Sequence, residues 1–208
     1  MSRACVSAWL AFIGGRALLL VALGVSPAHA EFDSVLEGLE KGDFAHAVAE
    51  LDKLARAGDA RAQDTLAGLY LQGIGVERDV ARAMGWYCRV AHHAQGGAQV
   101  MHAVWFLAEY FRTGGGLPGP SYGDGRPEDE NPLRAYFWFS VMAGQSGLFE
   151  RVDEHSAILG KIGVNAVAGV LFDEEKASVQ AALRRWRPGR PVASADACLM
   201  LPEGLPIP

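Results

Sequence analysis

The sequence predicts an all-α fold, an α/α superhelix (solenoid) of antiparallel helix hairpins. Three observations predict it: an internal repeat, apolar residues at helical spacing, and capping residues that punctuate the helices. In the repeat, Ala62–Val76 (AQDTLAGLYLQGIGV) overlays Ala103–Leu117 (AVWFLAEYFRTGGGL) at an offset of 41 residues, 103 − 62. Leu66 falls on Leu107, Tyr70 on Phe111, Gly73 on Gly114 and Gly75 on Gly116. Past the glycines the offset is 52, 131 − 79. There Asp79 falls on Asn131, Ala83 on Ala135, Trp86 on Trp138 and Tyr87 on Phe139. The difference between the offsets marks an insertion between the paired helices of the second copy. A period of this size means units that bury their apolar faces only against neighbours.

The chain begins with the pattern of an export leader, residues 1–30. Arg3 supplies a positive start, Ala17–Val25 (ALLLVALGV) an apolar core, and Ala28 and Ala30 the small residues of a cleavage site, with Pro27 expected to stop any helix just before it. Arg16 interrupts the apolar run, which is then shorter than the roughly 20 residues a spanning helix needs. Export to the periplasm or beyond is expected, with no stable membrane insertion after cleavage. Cleavage after Ala30 leaves 178 residues, 208 − 30, enough for one domain with a real core.

The helical domain is expected over residues 31–187. A first hairpin takes 31–58, opened by a Ser34…Glu37 capping box and continued by a helix capped by Asp43, whose Ala47, Val48, Leu51, Leu54 and Ala55 share a face. The first repeat takes 59–95, with Asp59 and Asp79 as caps and Gly73-Ile-Gly75 as the turn, because glycine reaches positive φ without a Cβ clash. The second takes 98–147, broken by the insertion 117–130 and restarted by Asn131-Pro132. Residues 148–187 are expected to form a terminal hairpin, its last helix capped by Asp173 and running to Trp186, followed by a Pro-rich tail over 188–208.

The leader holds Arg3 and Arg16 and no acid, so 17 basic residues face 24 acidic ones in the remainder. That balance excludes a general nucleic-acid binder, which needs a basic surface to displace counterions. Cys88 and Cys198 lie outside the leader. Either they form a disulfide that ties the tail to the repeats, or Cys88 is a buried thiol and Cys198 is unpaired; both readings stand. The bond would contribute roughly 3–5 kcal/mol by chain entropy.

Catalytic patterns are absent: there is no Ser-x-x-Lys, Gly-x-Ser-x-Gly, His-Glu-x-x-His or phosphate loop. No cofactor or metal is expected. His92 and His93 point about 100° apart on a helix, a poor start for one metal ion, and cations are favoured at a helix C-terminus in any case. Trp105, Tyr136 and Phe137 are aromatic only in the second copy. They serve either a partner or a covering hairpin, with packing favouring the hairpin. Tyr122, within the insertion, is expected on a surface loop that contributes to recognition.

The succession Leu66-Ala-Gly-Leu-Tyr70, Gly73-x-Gly75, Asp79, Ala83, Trp86-Tyr87 resembles the Sel-one-like repeat, a relative of the tetratricopeptide repeat; residues 103–147 carry a degenerate second copy. The resemblance implies a non-enzymatic scaffold that binds a protein or a cell-wall component. An alternative comes from cysteine-rich exported members, which resemble proteins that bind or hydrolyse β-lactams or peptidoglycan fragments. Those carry a disulfide in each repeat, whereas this chain has one candidate pair. A nitrocefin assay separates the two.

Overall fold

The computed structural model describes residues 27–93, 97–115, 125, 130–144 and 152–189. Among these the chain is all-helical. The helices are α1 (Pro27–Glu40), α2 (Phe44–Arg56), α3 (Ala60–Gln72), α4 (Val80–Ala91), α5 (Ala98–Arg112), α6 (Pro132–Met142), α7 (Glu154–Ala168) and α8 (Asp173–Arg185). Each helix from α1 to α6 packs on the next in the chain, and α3 also touches α5, and α5 touches α7.

The caps explain most boundaries. The Asp59 carboxylate accepts from the amides of Arg61 and Ala62, at 2.9 and 3.1 Å, and starts α3. Gly73 ends α3 at φ +73°, in the left-handed region. Ala47, Leu51 and Ala55 line the buried face of α2, with Val48 and Leu54 packed beside them.

Four expectations about helix starts need correcting. α1 starts at Pro27 and holds Ser34 in its interior, so there is no capping box at Ser34. Proline's fixed φ suits the first helical turn, so Pro27 opens a helix where it was expected to stop one. Asp43 occupies the N-cap of α2 but makes no side-chain cap hydrogen bond. Asp173 is the first residue of α8 rather than its cap. Phe172 stands at the N-cap, its amide donating to the Glu175 carboxylate at 2.7 Å.

The terminal pair does not form a hairpin. α7 and α8 share at most marginal contact, and both pack on α6. α7 approaches α6 through Ser156, Gly160, Gly163, Val164 and Val167, all buried. α8 closes over α6 with Trp186, which meets Phe137 and Trp138 edge-on at 6.0 and 6.1 Å between ring centres. Enclosed by α5, α7 and α8, α6 is buried at every position from Ala135 to Met142.

Candidate partner-binding surface

The two repeats close in the same way. The Asp79 amide donates to the Tyr70 carbonyl at 2.9 Å, and the Asn131 amide to the Phe111 carbonyl at 2.7 Å. Asp79 then caps the amide of Arg82 at 2.8 Å, as Asn131 caps that of Arg134 at 3.0 Å. Each arginine returns over the aromatic residue at which the repeat closes. Arg82 lies 4.9 Å from the centre of the Tyr70 ring, and Arg134 5.1 Å from that of Phe111. Burial depresses the Arg134 pKa. These arginines escaped the sequence reading, although their shared offset of 52 was a usable signal.

The remaining repeat positions follow suit. Leu66, Leu107, Ala83 and Ala135 are fully buried, Trp86 and Trp138 are 6% and 3% exposed, and Tyr87 and Phe139 are buried. Gly73, Gly75 and Gly114 all have positive φ. At Gly75 a Cβ would collide with Phe44 of α2, so glycine is required there twice over. Gly116, Tyr122 and Cys198 lie outside the described residues, as do nearly all of the insertion and the tail.

The first helices of the two repeats, α3 and α5, are joined by one polar pair. Nδ1 of His102 on α5 lies 2.8 Å from Oδ1 of Asp64 on α3. That hydrogen bond, with the carboxylate's charge, raises the His102 pKa above its ordinary value. The same imidazole meets Tyr87 edge-on at 5.6 Å, and Tyr87 stacks on Phe106 at 4.2 Å. About half of the His102 side chain stays open to solvent, and Trp105, half-buried, lies one turn further along α5. A donor, an acceptor and an indole therefore share this face.

Tyr136 and Phe137 are placed differently. They are 8% and 1% exposed, enclosed with the rest of α6, and have no surface for a partner. Of the four aromatic recognition candidates, Trp105 alone is both described and partly open.

His92 and His102 do not come together. His92 ends α4 and lies partly buried between Trp138 and Trp186, at ring separations of 6.2 and 5.4 Å. Its Nε2 accepts from the Trp186 indole N–H at 3.4 Å, which leaves Nδ1 carrying the proton, buried and without a partner among the described residues. Burial lowers its pKa to about 4, so it is neutral at physiological pH. The Gly189 amide donates to the His92 carbonyl, bringing the chain beyond α8 onto the end of α4. Cys88, one turn back on that helix, is fully buried and disulfide-bonded. Its partner lies outside the described residues, where the sequence offers Cys5 and Cys198.

Among the described residues, no three His, Cys, Asp or Glu side chains gather as metal ligands would. No helix among them is long and apolar enough to cross a membrane. A groove of about 410 Å³ between α1 and α2 is bordered by Glu50 and Lys53, which pair with each other at 2.6 Å. Comparison with protein families, with characterised proteins and with solved structures gives no match.

Proposed function

We propose that this chain is an exported, non-enzymatic repeat scaffold of the Sel-one-like type that binds a protein or cell-wall component across α3 and α5. The observation that carries the reading is the duplicated closure, in which the backbone bond, the side-chain cap and the arginine over an aromatic ring at Tyr70, Asp79 and Arg82 recur at Phe111, Asn131 and Arg134. Units built alike and packed on chain neighbours extend by stacking. Stacked hairpins set their first helices side by side, so α3 and α5 form a continuous face in an α/α superhelix. On that face Asp64, His102 and Trp105 offer hydrogen bonds and an aromatic contact spanning both repeats.

The bonded Cys88 supports export, because disulfides persist in oxidising compartments. Its proposed partner is Cys198. The chain beyond Trp186 arrives at the end of the Cys88 helix, and Cys5 would leave with the leader. Mass mapping of the unreduced exported protein should yield a Cys88–Cys198 peptide pair and an N-terminus at Glu31; a Cys5–Cys88 pair would refute both expectations. Binding is tested with the immobilised protein and envelope extracts. Wild type should retain an envelope protein or peptidoglycan, and His102→Ala/Trp105→Ala should lose it. Undiminished retention by the double variant overturns the assignment of this face.

A further inference from the structure

α7 has two apolar faces, and among the described residues only one is packed against another helix. Ser156, Gly160, Gly163, Val164 and Val167 turn toward α6. The opposite face carries Ile158 and Ile162, 48% and 60% exposed and one turn apart. In a helix hairpin the next helix would cover this face, but α8 packs on α6 instead. The turn between α7 and α8 adds Val170 and Phe172, 69% and 78% exposed. Apolar side chains so exposed and so grouped mark an interaction site.

The charges around the stripe describe its occupant. Asp153 and Glu154 stand at the N-terminal end of α7, and Asp173 and Glu174 just beyond Val170 and Phe172, all exposed. Glu175 adds a further carboxylate. Against these, Lys176 pairs with Asp173 at 3.4 Å, and Lys161 lies mid-helix. The surface is thus apolar in the middle and acidic at both ends. The acidic ends argue against an anionic membrane. They argue equally against a second copy laid face to face, which would set acid against acid.

We propose that the outer face of α7, with the turn that follows it, docks an amphipathic helix of a partner protein that has an apolar middle and basic ends. The helix would take the place a following hairpin partner leaves empty, with its apolar residues over Ile158, Ile162 and Phe172. This surface is separate from the α3–α5 face and does not depend on it.

The test uses two synthetic amphipathic helical peptides with the same leucine stripe, one with lysines in both end turns and one with glutamates there. The chain's isoleucines are Ile13, Ile74, Ile158, Ile162 and Ile207, so methyl-labelled isoleucine gives a sparse spectrum. The lysine-ended peptide should shift the Ile158 and Ile162 methyls and leave Ile74 unmoved. It should bind at least about tenfold more tightly than its glutamate-ended twin, a difference of about 1.4 kcal/mol. Ile162→Asp/Phe172→Asp should abolish binding, and Glu154→Lys/Glu174→Lys should reverse the preference between the peptides. Both double variants change exposed side chains, so an unchanged thermal melt confirms that they fold. Equal affinity for the two peptides, or no binding by either, overturns the proposal. A dimer in light scattering that Ile162→Asp dissolves would make a second copy the occupant instead, and acidic-vesicle binding that the same variant removes would make it a membrane.

Discussion

Replacing Gly160 with alanine should loosen the protein, although alanine is the better helix former. In the interior of a helix the exchange gains about 1 kcal/mol from backbone entropy alone. At Gly160, however, an added Cβ would lie 2.7 Å from the Met142 carbonyl carbon and 2.8 Å from the Ala143 Cα, and closer still to the Ala143 amide nitrogen. These are backbone atoms at the end of α6, whose side chains are locked by α5, α7 and α8, so the obstacle cannot rotate away. Overpacking a core costs about 1–3 kcal/mol, and an immovable neighbour places this site at the upper end. The net loss should be about 1–2 kcal/mol, a fall in melting temperature of roughly 2–8 °C for a domain of this size.

Two companion substitutions isolate the cause. At Gly163 the Cβ would run into the ring of Phe139, itself 2% exposed, so Gly163→Ala should also destabilise. At Gly169 nothing lies within 4 Å and φ is −69°, so Gly169→Ala should be neutral or stabilise by up to about 1 kcal/mol. Urea and thermal unfolding of the three variants give the ordering. A Gly160→Ala protein that melts at or above wild type would refute the close α6–α7 approach.

Other consequences follow from the same packing. Trp86→Ala and Trp138→Ala should each cost about 3–5 kcal/mol in urea unfolding, since both indoles are buried; silence at both would remove the repeat packing. His102 and His92 should act in opposite directions. His102, with its pKa raised by Asp64, adds stability that is complete below pH 6.5 and lost as pH rises through its folded value; urea midpoints at pH 6 and 8 should show that loss, and Asp64→Asn should erase it. His92, lowered to about 4, adds stability that is complete above pH 6.5 and falls away between pH 6.5 and about 4; His92→Phe should flatten that limb relative to wild type. Grafting Gly73–Arg78 in place of Gly114–Glu130 should leave stability within about 1 kcal/mol, because both segments join the same closing bond and loop length costs little. Unfolding of the graft would show the insertion to be structural.

The features legible in the sequence were those written locally. Asp59, Gly73, Asp79 and Asn131-Pro132 announce helix ends through hydrogen bonds they make within a few residues, so α3, α4 and α6 could be placed closely. The terminal helices were harder because the deciding contacts are distant. His92 and Trp186 are 94 residues apart, and neither carries a pattern that names the other. Read alone, His92 looks like a cation at a helix end, whereas burial makes it a neutral acceptor. The His102–Asp64 pair spans 38 residues and was equally invisible. Arg82 and Arg134 were missed for another reason: arginines on helices read as solvated charge, and apart from their shared offset it is their common placement over Tyr70 and Phe111 that reveals a role.

The fate of α8 also accounts for the aromatic excess of the second copy. Tyr136 and Phe137 align with Met84 and Gly85 of the first copy. A large ring at 137 is useful where Trp186 closes over it, at 6.0 Å. By covering α6, α8 leaves α7 without the partner that a regular hairpin would give it. One displacement therefore produces two results, an unusually enclosed α6 and an uncovered apolar stripe at Ile158 and Ile162. The two are linked in a testable way: Trp186→Ala weakens the closure of α8 over α6, so it should alter the Ile158 and Ile162 methyl environments as well as stability. Were α8 an independent appendage, those methyls would not respond.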